Sequence, residues 1–314
     1  MKKRYWILIV LFISVIVFYM IPNPVKHFDE LYGGDKAIAN SLKQFRKIPI
    51  KTLLVNGTEW TYLSTGKGAK TILFLHGMSG AYDIWFQQIE SLKNEYKIIS
   101  VTYPAVSGLS EMANAVMQIL SAEKIEKINV VGSSLGGFFT QYLVANYPDK
   151  IEKAIYGNTF PPNNLIKSQY KNLMILVPLL PEWMVLRTFR GNIEKNVVPA
   201  SGNSQLTRAF LLEQNYGLMS KQQFLARAKC VIDSFKVADT LVNQIPILII
   251  DTDNDNVVPA PLIPLMPQVY PKAAHFTFHN TGHFPYLNQP KVYTELIRNF
   301  FGNNKVKIDS AITQ

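Results

Sequence analysis

The chain has 314 residues, 48% of them hydrophobic, and a formal net charge of +10. That length supports one large core with an insertion rather than two independent domains, and no segment is repetitive or low in complexity. Apart from Lys2, Lys3 and Arg4 the basic residues are scattered, with no stripe interleaved by aromatics, which argues against a nucleic-acid partner.

Tyr5 to Ile21 carries no charge and stops at Pro22-Asn23-Pro24. The run is at the short end for a spanning helix and longer than a usual signal-peptide core. Small residues at the −3 and −1 positions of a cleavage site are missing near Phe18-Tyr19-Met20. Residues 1–24 are therefore expected to be an uncleaved signal anchor, with a cleaved signal peptide as the alternative. The basic cluster before the segment would stay in the cytoplasm, leaving the remaining chain extracytoplasmic and tethered by one helix.

Residues 25–50 read as a polar, helix-tolerant connector broken at Gly33-Gly34. A hairpin follows, Lys51 to Val55 and Trp60 to Ser64, turning at Asn56-Gly57, where both positions tolerate positive φ. Thr71 to Leu75 is a continuous apolar run of the kind found in buried parallel strands, and it ends in His76-Gly77-Met78-Ser79-Gly80. A helix over Tyr82 to Asn94, a strand over Lys97 to Val101 and a helix over Ser107 to Ala122 come next. The strand Ile128 to Val131 runs into Gly132-Ser133-Ser134-Leu135-Gly136-Gly137, with a helix from Phe138 to Tyr147 and a strand at Lys153 to Tyr156. This alternation calls for a mostly parallel sheet flanked by helices on both faces.

The alternation stops at Phe160-Pro161-Pro162. Residues 161–240 read as a helical cap, with helices over Leu165 to Val177, Glu182 to Phe189, Gln205 to Tyr216 and Gln222 to Val237. The stretch from Leu173 to Leu186 is unusually apolar. Cys230 is the single cysteine, so no intrachain disulfide or cysteine metal cage can form, and its apolar surroundings suggest a packed, inert thiol. Strands resume at Ile245 to Ile250 and Ala274 to Phe278, and a closing helix covers Lys291 to Phe301 before a polar tail. The sheet domain thus comprises residues 51–160 and 241–302.

Strand, glycine-flanked serine, helix is the context in which G-x-S-x-G forms a nucleophile elbow. A serine hydroxyl needs a base to take its proton and a carboxylate to fix that base's tautomer. Of the five histidines, His283 follows a glycine in the loop after the last strand, from which an imidazole can reach the elbow. His27 lies in the connector, while His275 and His279 sit in or beside a strand, where packing or exposure accounts for them. Asp251, Asp253 and Asp255 compete for the orienting role. Asp255, just before Val257-Val258-Pro259, is favoured over Asp253, and Asp251 ends the strand. The backbone N–H groups of Met78 and Leu135 are the expected oxyanion donors, with His76 bracing its loop. No Walker loop, G-x-G-x-x-G or metal-ligand cluster occurs, so no cofactor and no metal are expected.

These residues together resemble the α/β-hydrolase superfamily over residues 50–302: His76-Gly77-Met78, Gly132 to Gly137, Asp255 with Val258-Pro259, and Gly282-His283-Phe284, in that order. Ser134 to Phe138, Gly157 to Phe160 and Phe284 to Leu287 are also similar to the maspardin family, which is regarded as binding proteins. This chain differs from that family in carrying His283 and an apolar amino-terminal segment. The superfamily resemblance implies a serine hydrolase working through an acyl-enzyme, with ester, thioester, amide and carbon–carbon bonds all open to it; the apolar cap and the membrane tether favour a hydrophobic, lipid-like carboxylic ester. A non-catalytic binder and a peptidase or amidase are the alternatives.

Overall fold

The computed structural model describes residues 2–106, 108–237 and 244–302. The cap–core junction expected at 240–241, the start of a helix at Ser107 and the tail beyond Gly302 lie outside the described residues. Eight strands form one sheet: β1 (Lys51–Val55), β2 (Thr58–Gly66), β3 (Thr71–Leu75), β4 (Lys97–Thr102), β5 (Ile128–Ser133), β6 (Ile151–Gly157), β7 (Ile247–Thr252) and β8 (Ala274–Phe278). Their order is β1-β2-β4-β3-β5-β6-β7-β8. β2 runs antiparallel to β1 and β4, and the remaining pairs are parallel.

Side chains alternate across the pleat, so one apolar strand supplies two cores. Leu73, Leu75 and Val130 face the helices Leu109–Ala122 and Leu135–Asn146. Ile72, Phe74 and Val131 face the opposite side, where Phe86–Leu92 and Pro290–Phe301 pack. This double burial explains why β3 reads as an unbroken apolar run. Between β6 and β7 lie the helices Leu165–Leu176, Glu182–Asn192, Gln205–Glu213 and Lys221–Val231. Cys230 is buried among them, and burial pushes its thiol up to about 12, as an inert role requires.

Three local readings need refinement. The helix-tolerant connector, residues 25–50, holds the helices Phe28–Leu31 and Lys36–Phe45, and it is packed rather than merely linking: Phe28, Leu31, Leu42 and Phe45 are buried in the sheet core. Apolar pairs three apart were enough to seat them amid polar neighbours. Arg46 at the end of the second helix bridges Asp83 at 2.7 Å and Glu213 at 2.6 Å, tying this segment to both sheet and cap. The region from Tyr82 begins with a 3₁₀ turn, Tyr82–Trp85, before the helix proper. The last cap helix ends at Val231, where Asp233 instead accepts from the Leu109 N–H at 3.0 Å, capping a different helix.

Glu123 stitches the antiparallel edge. It accepts from Lys51 on β1, Tyr62 and Ser64 on β2, and Lys97 on β4. Burial opposes its charge, but these donors outweigh it and lower its pKa to about 2. A depressed carboxylate contributes stability above its unfolded pKa and loses it as pH falls through the folded value. Glu123→Gln is therefore expected to cost roughly 2 kcal/mol at pH 7, the order of hydrogen bonds to a charged group. In denaturant titrations the gap to the unsubstituted protein should close between about pH 5 and pH 2; a gap independent of pH would refute this role.

Candidate active site

β3, β5, β6, β7 and β8 are mutually parallel, so their carboxyl ends lie along one edge of the sheet. The loops that follow them carry Gly77-Met78, Ser134, Asn158, Asp255 and His283 respectively. Ligands in open α/β sheets bind at this edge.

The elbow is shaped by what cannot fit beside it. Ser134 has φ 57° and ψ −121°, a conformation that side-chain-bearing residues rarely adopt. A Cβ on Gly132 would lie 2.1 Å from the Gly136 carbonyl oxygen, and one on Gly136 would lie 2.1 Å from that of Leu75. The Ser134 N–H donates to the Gly157 carbonyl at 2.9 Å, and the Thr159 hydroxyl donates to the Ser134 carbonyl at 2.8 Å. These bonds hold the strained residue on both sides of its Cα.

His283 Nδ1 is 2.7 Å from Asp255 Oδ2, and both side chains are 2% exposed. Asp255 also accepts from Asn158 Nδ2 at 3.0 Å, from the Val257 N–H at 2.9 Å and from the Val258 N–H at 3.1 Å. Burial pushes this carboxyl up, but the His283 imidazole and these hydrogen bonds win, leaving its pKa below the ordinary aspartate value. The carboxylate is thus ionised at neutral pH and the imidazole is oriented with Nε2 free of it. Gly282, at φ 60°, makes the preceding turn, and its N–H is held by Asn254 Oδ1 at 2.8 Å.

Asp251 and Asp253 also pair with histidines, to His275 at 2.6 Å and His279 at 2.7 Å. Those pairs are partly or largely exposed, and none of their four residues lines the cavity that Ser134 and His283 share. Among the three, burial singles out Asp255–His283.

The loop that carries Gly77 and Met78 is braced from two directions. Buried His76 places Nδ1 2.6 Å from the Gly77 carbonyl, while its Nε2 accepts from the Tyr103 N–H at 3.3 Å. Burial and the nearby Arg227 charge push the His76 pKa well below its usual value, so the ring is neutral with its proton on Nδ1. The Gly80 N–H also donates to the Gly77 carbonyl, at 3.1 Å. Since C=O and N–H point oppositely across a trans peptide, pinning the Gly77 oxygen aims the Met78 N–H the other way. Leu135 opens its helix, so its N–H has no acceptor within it.

The second brace, Arg227, was not foreseen from sequence. This cap residue is 2% exposed and donates to the carbonyls of Met78 at 2.6 Å, Gly80 at 3.1 Å and Tyr103 at 2.9 Å. Burial lowers its pKa to about 10, so it stays charged at neutral pH. Nothing in the local sequence distinguishes it from a surface arginine. Asn158 was likewise missed as a partner of Asp255; its φ of 40° at the end of β6 is invisible in the sequence.

Ser134 and His283 both line a cavity of about 520 Å³ between sheet edge and cap. Among the described residues the Ser134 hydroxyl has no protein hydrogen-bond partner, so it faces that space. Ile84, Phe160, Ile166, Ile193, Val197 and Leu211 supply apolar wall, and no Asp, Glu, Lys or Arg is among the described residues that line it. No group of three or more potential metal ligands occurs among the described residues.

Residues 70–192 match the family model described as the α/β hydrolase fold. The mouse protein maspardin is 22% identical over 293 residues, covering 89% of this chain and 93% of its own. An enol-lactonase from Burkholderia xenovorans superposes with a TM-score of 0.66 at 14% identity, covering 80% of this chain and all of that one. A thermophilic esterase from Thermogutta terrifontis gives 0.64 at 18% identity, covering 82% and 99%.

Proposed function

We propose that this chain, which has the α/β-hydrolase fold and is similar to maspardin over most of its length, is a serine hydrolase cleaving a neutral, apolar carboxylic ester. The observation that carries the reading is the buried Asp255–His283 pair, whose imidazole lines the same cavity as Ser134 on its strained elbow. In this mechanism Ser134 Oγ attacks the ester carbonyl as His283 Nε2 takes its proton. Asp255 holds the imidazole by Nδ1 and stabilises the imidazolium. The N–H groups of Leu135 and Met78 receive the oxyanion. Collapse of the tetrahedral intermediate breaks the ester C–O bond, and His283 protonates the departing alcohol. Water, deprotonated by His283, then attacks the acyl-Ser134 ester and releases the acid.

The cavity wall favours an apolar acyl chain, and the lack of a lining carboxylate disfavours a peptidase that anchors a substrate ammonium. The helix Lys2–Met20 is long and apolar enough to cross a membrane. With Lys3 and Arg4 before its apolar run, it would place the hydrolase domain outside the cytoplasm. A panel of p-nitrophenyl esters tests the substrate class: turnover should rise from acetate to longer acyl chains. Absence of turnover at every chain length supports instead a binding protein using the same cavity, the role the maspardin resemblance implies.

A further inference from the structure

We propose that the cap itself seats on the lipid bilayer, through Ile175, Leu176, Leu179 and Leu180, as a second membrane contact beside the amino-terminal helix. The proposal rests on the reading of that helix as a membrane span. Ile175, Leu176 and Leu179 are 61%, 58% and 65% exposed, a run of large aliphatic side chains where the helix Leu165–Leu176 passes into the turn that ends it. Isolated exposed leucines need no explanation, but a contiguous group does.

The cluster lies where the amino-terminal helix ends. Trp183 Nε1 donates to the Phe18 carbonyl at 2.9 Å, and the two rings meet edge to face at 5.4 Å. The Tyr19 hydroxyl donates to the Leu179 carbonyl. Beyond the helix the chain stays fastened to the cap: Arg190 donates to Asn23 Oδ1 at 2.7 Å, and Asn23 Nδ2 donates to the Asn215 carbonyl at 3.2 Å. A helix leaving the membrane here cannot swing the cap away on a free linker. Tyr19 and Trp183 are amphipathic rings of the kind that gather at the headgroup level.

The backbone of the tip is prepared for a poorly hydrated setting. Lys221 Nζ donates to the carbonyls of Pro178 at 3.2 Å and Leu180 at 2.7 Å, while Tyr19 satisfies Leu179. The Leu180 N–H bonds to the Val177 carbonyl at 3.1 Å. Apolar side chains therefore project from a turn whose carbonyls need little water, as insertion into the acyl boundary requires. The helix bearing Ile175 and Leu176 also lines the cavity with Ile166, Gln169 and Tyr170. Seating its tip sets the cavity wall against the bilayer, where apolar esters concentrate.

The test is lipid quenching of an environment-sensitive thiol probe on the full-length chain in phosphatidylcholine–phosphatidylglycerol vesicles. Probes are attached in turn to Leu179→Cys, Ile13→Cys and Lys150→Cys; native Cys230 is buried and escapes labelling. Lys150 is exposed and precedes β6, at the sheet edge opposite the cavity. The expected result is blue-shifted emission and quenching by spin-labelled lipid at 179 and 13, with neither at 150. Quenching at 13 but not at 179 overturns the docking surface and leaves the span standing. Quenching at neither overturns both, and equal quenching at 150 overturns the docking surface as non-specific adsorption.

Discussion

Asp255→Asn is expected to lower kcat/KM for a soluble p-nitrophenyl ester by about 10⁴-fold, the order seen when a triad carboxylate is replaced by its amide. The reason lies in who faces this carboxylate. His283 Nδ1, Asn158 Nδ2 and the N–H groups of Val257 and Val258 all surround its two oxygens. Each is a donor, so an amide must turn its NH₂ toward one of them. Turned toward His283 it forces the proton to Nε2, and the ring can no longer accept from Ser134. Ser134→Ala and His283→Ala should lose at least as much. Because the two act as a unit, the double variant should be no worse than the poorer single, with residual turnover of roughly 10³-fold over water. Circular dichroism on each variant keeps loss of fold from passing as loss of chemistry. A decrease below about tenfold for Asp255→Asn would remove this residue from the mechanism.

The second large effect concerns the elbow's backbone. Gly136→Ala should prevent folding or cost more than about 4 kcal/mol, in the range reserved for forced overpacking of a core. Its Cβ would stand 2.1 Å from the Leu75 carbonyl oxygen, 2.6 Å from that carbonyl carbon and 2.8 Å from the His76 oxygen. These are backbone atoms of β3 and the oxyanion loop, and they cannot rotate away. Gly191 in the helix Glu182–Asn192 is the internal comparison, because a Cβ there meets nothing within 4 Å. Gly191→Ala should stabilise the protein by about 0.5–1 kcal/mol, the helix-propensity difference between the two residues. Urea unfolding of both variants reads the contrast directly, and equal effects would contradict the packing argument.

What sequence could reveal here follows from what burial imposes on it. β3 and the first four residues of β7 are covered on both faces, so Ile72 to Leu75 and Ile247 to Ile250 are apolar without interruption, whereas β5 admits a buried polar residue, Asn129, among its apolar ones. The elbow announces itself because only glycine fits at 132 and 136. The sheet order is another matter: nothing in β4 states that it lies between β2 and β3. The three aspartates at 251, 253 and 255 share a spacing of two and each finds a histidine, so pattern alone could favour one without separating them. Only the fold shows that the third pair is buried. Arg227 was beyond reach for the same reason, since its acceptors are the carbonyls of Met78, Gly80 and Tyr103, far away in sequence. Phe28 with Leu31 and Leu42 with Phe45 carry the spacing of a helix, but that they are buried depends on partners distant in sequence, such as Phe86 and Phe210.

The central claim is that Ser134 is a nucleophile activated by His283. Incubating the full-length protein in detergent with a fluorophosphonate probe, followed by peptide mass spectrometry, tests it most directly. The account predicts one adduct, on the peptide carrying Ser134, lost in Ser134→Ala and much slowed in His283→Ala. Folded protein that takes up no probe, or an adduct that persists in Ser134→Ala, would contradict it.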